Sequence, residues 1–471
     1  AGALPPGERG SGESPAAIAG GGRGHQIAAG QPPGLGALFV TETWERLAYY
    51  GMRALLILYL IDTTSGGLGW SQESASRLYG WFTGMAYLTP VVGGWLADRY
   101  LGTSRSLLVG GSLLTLGYFV LALGHASALY VGLALVVLGA GFFKPSGYTM
   151  VGQLYAPADP RRDSGFTLYY MAINLGALFG PLVCAWFAAD PRYGWPYGFG
   201  AAGVAMLIGL VFYVRIRRSW LGGVGGPPSR TPGASSVEAP LSPTDRKRVL
   251  AIAIITVFVI FFWLAFEQIG SSLNIFAAHK TNRVLAGWSA RFVPGGEIPA
   301  AWFQAINPFF TLMLAPLVAS LWRRLGTRGP DTPTKMAGGL MFLGVAYLVM
   351  VLGAAQSTGT SLVSPWFLVA FYFIYSCGEI CFLPVGISFV TQTAPARFAS
   401  MLMGAWLTAN FFASLAGGYV AGMMQRIERG ELFTILGGQA DFFLIFVVSC
   451  ILAGTALFLL VPTLRRLSQL R

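Results

Sequence analysis

The chain has 471 residues, 54% of them hydrophobic and only 11% charged, with 63 glycines and 33 phenylalanines. An ordinary soluble domain is about 25% charged, so this composition excludes one and points to a chain that crosses a membrane many times. The net charge of +12 would suggest a nucleic-acid partner in a soluble protein. Here the basic residues gather in one set of loops, which is a topology signal and sets nucleic acid aside.

Residues 1–34 are rich in Gly, Ala and Pro without an apolar run. This reads as a disordered cytoplasmic tail rather than a cleavable signal peptide. Six apolar spans follow, at 35–61, 74–98, 106–124, 127–153, 164–189 and 195–216. Residues 217–248 carry Gly, Pro and Ser throughout and end on Arg246, Lys247 and Arg248, so they form a polar linker. Six more spans follow at 249–278, 301–322, 334–355, 365–391, 398–424 and 441–461, and 462–471 is a short C-terminal tail. Placing the N-terminus in the cytoplasm puts most Lys and Arg residues in cytoplasmic segments, which predicts both termini and the linker inside. The expected fold is an all-α membrane protein with two six-helix bundles, 35–216 and 249–461. Cys184, Cys377, Cys381 and Cys450 all lie in apolar runs, so neither a disulfide framework nor a metal site is implied. Arginine far outnumbers lysine and no Asn-x-Ser/Thr sequon occurs, which fits a bacterial protein of the inner membrane.

The first span is unusual. Glu42, Glu45, Arg46, Tyr49, Tyr50 and Arg53 recur at i, i+3, i+4, i+7, i+8 and i+11, which places them on one helix face. Each charge at membrane depth costs about 2.5–3.5 kcal/mol on insertion scales. Such a stripe must face other protein or a water-filled cavity, so this helix is predicted to line a site.

Further groups lie at membrane depth. Lys144 on the descending fourth span is placed to meet Glu42 and Glu45. Arg53 and Glu267 lie equally far from the cytoplasmic ends of the first and seventh spans, so they can meet between the halves. Glu379 is near the middle of the tenth span. Tyr87, Asn174, Asn307, Trp406 and Asn410 add neutral polar and aromatic walls. The first half thus supplies Arg46, Arg53 and Lys144, and the second supplies Glu267 and Glu379. A zwitterion with separated ends fits between them.

The six-plus-six plan with a midplane site is that of the major facilitator superfamily, and Gly94 to Arg105, with Asp98, Arg99 and Gly102, resembles its loop signature between spans two and three. More narrowly, residues 35–461 resemble the proton-coupled oligopeptide transporter family. Glu42-Thr43-Trp44-Glu45-Arg46 followed by Tyr49 to Arg53 looks like its first-helix ExxER signature. Gly141 to Pro145 resembles its fourth-helix lysine motif, and Tyr169 to Gly176 its fifth-helix motif. Phe266 to Ser272, and Gly378-Glu379 with Pro384 and Gly386, resemble its seventh- and tenth-helix motifs.

The resemblance implies a symporter that imports di- and tripeptides on the proton gradient by alternating access, with no cofactor, as a functional monomer in the lipid bilayer. It implies proton coupling by Glu42, Glu45, Arg46 and Glu267. Peptide binding would fall to Tyr49, Tyr50, Arg53, Tyr87, Lys144, Asn174, Asn307, Glu379, Trp406 and Asn410. Arg53 with Glu267 would form the outer gate, and Lys144 with Glu379 would contribute to the inner one. Three positions depart from the family pattern: Leu47 stands for the usual Phe, Ser146 for Asn and Leu383 for Ser. The linker is also too short and polar for the two extra helices that many bacterial members insert. A different solute on the same fold, such as an amino acid, a nitrate-like anion or a drug, is the alternative. Against an anion, His25, His125 and His279 all lie outside the predicted spans, and Glu379 would repel it. No catalytic nucleophile–base set or nucleotide loop is present, so an enzyme is not expected.

Overall fold

The computed structural model describes residues 30–156, 159–226, 242–285, 287–357, 361–395 and 399–468. Its first half contains α1 (Pro33–Ile61), α2 (Gln72–Leu96), α3 (Thr103–Leu121), α4 (Ala126–Gln153), α5 (Arg162–Ala189) and α6 (Trp195–Trp220). Its second half contains α7 (Pro243–Phe266), α8 (Ser272–His279), α9 (Ile306–Leu325), α10 (Thr332–Ala355), α11 (Trp366–Thr393), α12 (Ala399–Gly422), α13 (Met424–Glu428) and α14 (Gln439–Ser468). Nine helical spans among the described residues are long and apolar enough to cross a membrane. The helices α1, α2 and α12 are of comparable length and pack among them. This is a multi-pass, all-helical membrane protein.

Helix ends follow local chemistry and shift several expected boundaries. The first helix begins at Pro33, inside the expected tail, because proline suits a first helical position whose N–H has no partner. Residues 1–29 of that tail lie outside the described residues. The sixth helix runs on to Trp220, with Arg217 and Arg218 in its last turn, where cations complement the helix dipole. The seventh starts at Pro243, capped by the Ser242 hydroxyl, which accepts from the Asp245 N–H at 3.0 Å. The expected linker is therefore shorter, and residues 227–241 within it lie outside the described residues. The last helix continues past Pro462 to Ser468, and its Arg465 pairs with Asp331 at 2.6 Å.

The expected continuous seventh span is broken. The α-helix stops at Phe266, Glu267–Ile269 form one 3₁₀ turn, and Ser271 is non-helical (φ −117°, ψ −96°) before α8 resumes. Side chains satisfy the freed polar groups: Ser271 Oγ donates to the Glu267 carbonyl at 3.0 Å and Ser272 Oγ to Gln268 Oε1 at 2.6 Å. His279 ends α8, so it closes this span rather than lying beyond it.

Two apolar cores result. One draws on α1 to α6, the other on α7 to α14, and Ile275 and Ala301 of the second half pack into the first core. The cross-half contacts described below cluster away from the linker, at what is called here the distal end. Asn274 Nδ2 donates to the Ala54 carbonyl at 2.8 Å, and Trp302 Nε1 to the Leu182 carbonyl at 3.0 Å. Helices α2 and α12 meet backbone to backbone: a Cβ added at Gly80 would stand 2.7 Å from Gly418 Cα. Toward the linker end, Val91, Val92 and Trp95 of α2 are exposed.

Candidate functional site

The α1 stripe is buried against other helices, with Glu42, Glu45, Arg46, Tyr49 and Arg53 almost without solvent contact and Tyr50 half-buried. Its charges fall into two groups. Nearer the linker end, Arg46 Nε lies 2.6 Å from Glu42 Oε1 and 3.1 Å from Glu45 Oε2. The other Glu42 oxygen accepts from the Tyr169 hydroxyl of α5 at 2.5 Å. Glu42 is therefore fully partnered. Glu45 is 0% exposed and neither of its oxygens accepts a hydrogen bond among the described residues. The flanking Arg46 guanidinium offsets its charge without a formed hydrogen bond, so Glu45 is less fully compensated than Glu42 for the hydration it has lost.

The distal group joins the two halves. Arg53 Nη2 donates to Glu267 Oε2 at 2.7 Å, with side-chain exposures of 5% and 2%. Arg53 Nε also donates to the Tyr79 hydroxyl at 2.6 Å, and its guanidinium lies 5.6 Å and 5.7 Å from the Tyr79 and Phe266 ring centroids. Ser414 Oγ donates to the second Glu267 oxygen at 3.2 Å. The helix break positions this pair. At Gly270 any side chain would collide with the Tyr79 hydroxyl that Arg53 holds, so glycine is required there by space.

Lys144 departs from expectation. It does not meet Glu42 or Glu45, and among the described residues it makes no ion pair. Its Nζ instead sits 4.4 Å from the Tyr49 ring centroid and 5.3 Å from that of Tyr87, which faces Trp263 across the halves at 5.5 Å. At Glu42 the reason is occupancy, because Arg46 and Tyr169 already fill its oxygens. A cation held by ring faces keeps its ammonium available to an anionic group.

On the second half, Glu379 of α11 is 6% exposed and has no ion-pair partner among the described residues. It accepts from Asn307 Nδ2 at 2.7 Å and from the Thr311 hydroxyl at 3.4 Å, both on α9. Asn307 Nδ2 also reaches Ser376 Oγ at 3.1 Å. Asn174 spends its Nδ2 on the Tyr170 carbonyl one turn back, at 3.0 Å. Trp406 is buried on α12 and packs over Gly386 of α11, where a Cβ would lie 3.1 Å from its Cζ2. The Asn410 Oδ1 is buried without a hydrogen-bond partner among the described residues.

Tyr79, Tyr169, Thr311 and Ser376 complete these networks and were not among the predicted site residues. Spacing carried a signal for three of them. Tyr79 is i−8 from Tyr87, Thr311 is i+4 from Asn307 and Ser376 is i−3 from Glu379, so each shares a face with a predicted residue. The Tyr169 contact with Glu42 joins residues 127 positions apart and has no local signal.

Comparison with known proteins places this geometry in context. The model of the POT family matches residues 104–220 and 236–435. A peptide transporter of Yersinia enterocolitica is 33% identical over 508 aligned residues, covering 93% of this chain and 95% of its own. A di-/tripeptide transporter of Lactococcus lactis is 30% identical and covers 87% and 93%. Among solved structures, the peptide transporter POT with sulfate superposes with a TM-score of 0.83 at 33% identity, covering 94% of this chain and 97% of that one. A POT family transporter bound to 5-aminolevulinic acid superposes at 0.82 with 27% identity, covering 92% and 97%.

Proposed function

The chain belongs to the POT family, and from the site it builds on that fold we propose that it is a symporter importing di- and tripeptides with protons by alternating access. One observation carries this reading. Lys144 on one half and the Glu379 carboxylate on the other, neither in an ion pair among the described residues, belong to halves that a buried ion pair joins. Lys144 and Arg53 serve the peptide carboxylate, and Glu379, oriented by Asn307, serves its ammonium. Tyr49, Tyr50, Tyr87, Asn174, Trp406 and Asn410 shape the chamber around the peptide. The relatives named as di-/tripeptide transporters and the structure bound to a small amino acid support a zwitterionic solute.

In this reading the distal end faces outward and is closed by Arg53–Glu267. The linker end and both termini face the cytoplasm, a reading the arginine distribution supports. Residues 35–216 and 249–461 rock as two bundles about the site, and Lys144 with Glu379 contributes to the inner gate. Glu45 carries the coupled proton, and Glu42, Arg46 and Glu267 are the charges whose pairing changes with it. Four carboxylates (Glu42, Glu45, Glu267, Glu379) face three cations (Arg46, Arg53, Lys144), so the ionised site has one excess negative charge. A zwitterion leaves that excess unchanged, and one proton cancels it before the halves move in a low-dielectric medium. No cofactor is needed, and a monomer in the inner membrane suffices. The test is uptake of a labelled dipeptide into proteoliposomes. Accumulation above the external concentration with an inward proton gradient, and equilibration alone without one, is the expected result. Accumulation that ignores the gradient would refute proton coupling.

A further inference from the structure

A second cluster of charge lies far from the transport site, at the linker end of the first half. Ser104 and Arg105 from the first turn of α3, Arg217 and Arg218 from the last turn of α6, and Leu221, Gly222 and Val224 from the following loop enclose a cavity of about 280 Å³. None of the three arginines has a carboxylate within ion-pair distance among the described residues. Water screens the mutual repulsion of these exposed and half-exposed arginines, and an anion bound between them would gain from all three.

The cavity is built, not a chance gap in a loose loop. The Ser104 N–H donates to the Gly225 carbonyl at 2.9 Å, and the Gly225 N–H donates to Gln153 Oε1 of α4 at 3.1 Å. Ser104 Oγ lies 2.9 Å from the hydroxyl of Tyr213, a residue fully buried in α6. Leu221, 4% exposed, anchors the loop in the first core. These bonds fix the loop against α3, α4 and α6 and hold the guanidinium-bearing turns at a set separation.

The helix surface beneath the cavity is apolar and exposed. On α6, Arg218, Val214, Val211 and Leu207 recur at i, i−4, i−7 and i−11, and all three apolar residues are exposed. On α3, Arg105, Val109 and Leu116 share a face in the same way, and Val109 and Leu116 are exposed. The two helices pack side by side, with Phe119 against Gly203 and Leu210 against Gly111. An arginine-lined cavity thus stands at the head of paired apolar stripes that run into the membrane. We infer that this cavity is a binding site for the phosphate headgroup of an anionic phospholipid, whose acyl chains lie along the exposed stripes of α3 and α6. Bidentate guanidinium–phosphate pairing supplies the headgroup recognition. The site is independent of which solute the central chamber carries.

Native mass spectrometry of the full chain in detergent, titrated with phosphatidylglycerol, tests this. Wild type is expected to retain phosphatidylglycerol in preference to phosphatidylcholine. Arg217→Gln with Arg218→Gln is expected to weaken retention about thirtyfold, the effect of two basic residues near an anionic headgroup. Arg323→Gln with Arg324→Gln, at the matching end of α9, is expected to leave it unchanged. Equal loss in both double variants would reduce the effect to general surface attraction and overturn the site. Inorganic phosphate at millimolar concentration separates the two sources of the anion: retention of phosphate at this site together with equal retention of phosphatidylglycerol and phosphatidylcholine would make this a free-phosphate site and refute the lipid assignment. Arg217→Lys with Arg218→Lys guards against misfolding. It keeps the charge but not the bidentate fork, so retention intermediate between wild type and the Gln variant is expected, and retention equal to wild type would refute recognition by the guanidinium groups.

Discussion

Removing Arg53 while keeping Glu267 is the sharpest perturbation of the contact between the halves. In Arg53→Met the Glu267 carboxylate, 2% exposed, keeps the Ser414 hydroxyl at 3.2 Å and loses the guanidinium at 2.7 Å. Breaking one side of a buried pair costs about 3–5 kcal/mol, because the remaining charge is neither solvated nor paired. Opening the distal end lets water reach Glu267, so that cost falls on the closed state alone. At 1.4 kcal/mol per tenfold, the closed population relative to the open one is expected to fall by about 10²- to 10⁴-fold. Spin labels at Thr63→Cys and Leu432→Cys, exposed positions in distal loops of opposite halves, report the separation by double electron–electron resonance. A shift of the distance distribution to longer values is expected in Arg53→Met and in Glu267→Gln. The exchange Arg53→Glu with Glu267→Arg should recover part of the short distance, although Tyr79 then faces a carboxylate in place of a guanidinium. Transport need not recover, since Arg53 also serves substrate. Unchanged distances in both single variants would refute the view that this pair holds the distal end shut.

Three further outcomes are expected. Dipeptides with an acetylated amino terminus should compete at least 10²-fold more weakly than free ones, because Glu379 is left buried opposite a neutral amide; equal competition would remove Glu379 from ammonium recognition. Glu45→Gln should abolish uphill accumulation while exchange at equal pH persists, whereas Glu42→Gln should also cost about 1.5–3 kcal/mol of stability through its charged hydrogen bonds to Arg46 and Tyr169; accumulation surviving in the Glu42→Gln/Glu45→Gln double variant would move coupling elsewhere. In the distal loop, partial burial works against the Asp62 carboxylate, but the N–H groups of Thr64 and Ser65, the Thr64 hydroxyl and the Trp195 indole hold it below the usual carboxylate value. A depressed folded value stabilises the loop above the unfolded pKa of ~3.9 and loses that contribution as pH falls through the folded value. Hydrogen exchange over residues 62–70 should therefore be faster at neutral pH in Asp62→Asn than in wild type, and equal rates would show that the carboxylate does not hold this loop.

What the sequence determined by itself was whatever depends on period and cost. Apolar runs of membrane length, the basic loops between them and the ionisable residues that break the runs are all local, and each follows from the expense of placing a charge in hydrocarbon. The α1 stripe could be recognised as site-lining because its residues share one helix face whatever surrounds them. Equal depth along two helices brought Arg53 and Glu267 to one level, since rise per residue is fixed. Partner choice was a different matter. Depth alone sent Lys144 to the first-helix glutamates, but depth does not fix azimuth, and at Glu42 Tyr169 and Arg46 already occupy the positions it would need. The break at Glu267–Ser271 was likewise invisible in an apolar run, because a helix in a membrane is interrupted where neighbouring side chains can satisfy the freed backbone, and those neighbours are set by tertiary packing. The same reason separates Glu42 from Glu45. One turn apart and identical in chemistry, they differ because one accepts hydrogen bonds from Arg46 and from a tyrosine of α5, while the other has Arg46 beside it but accepts no hydrogen bond among the described residues.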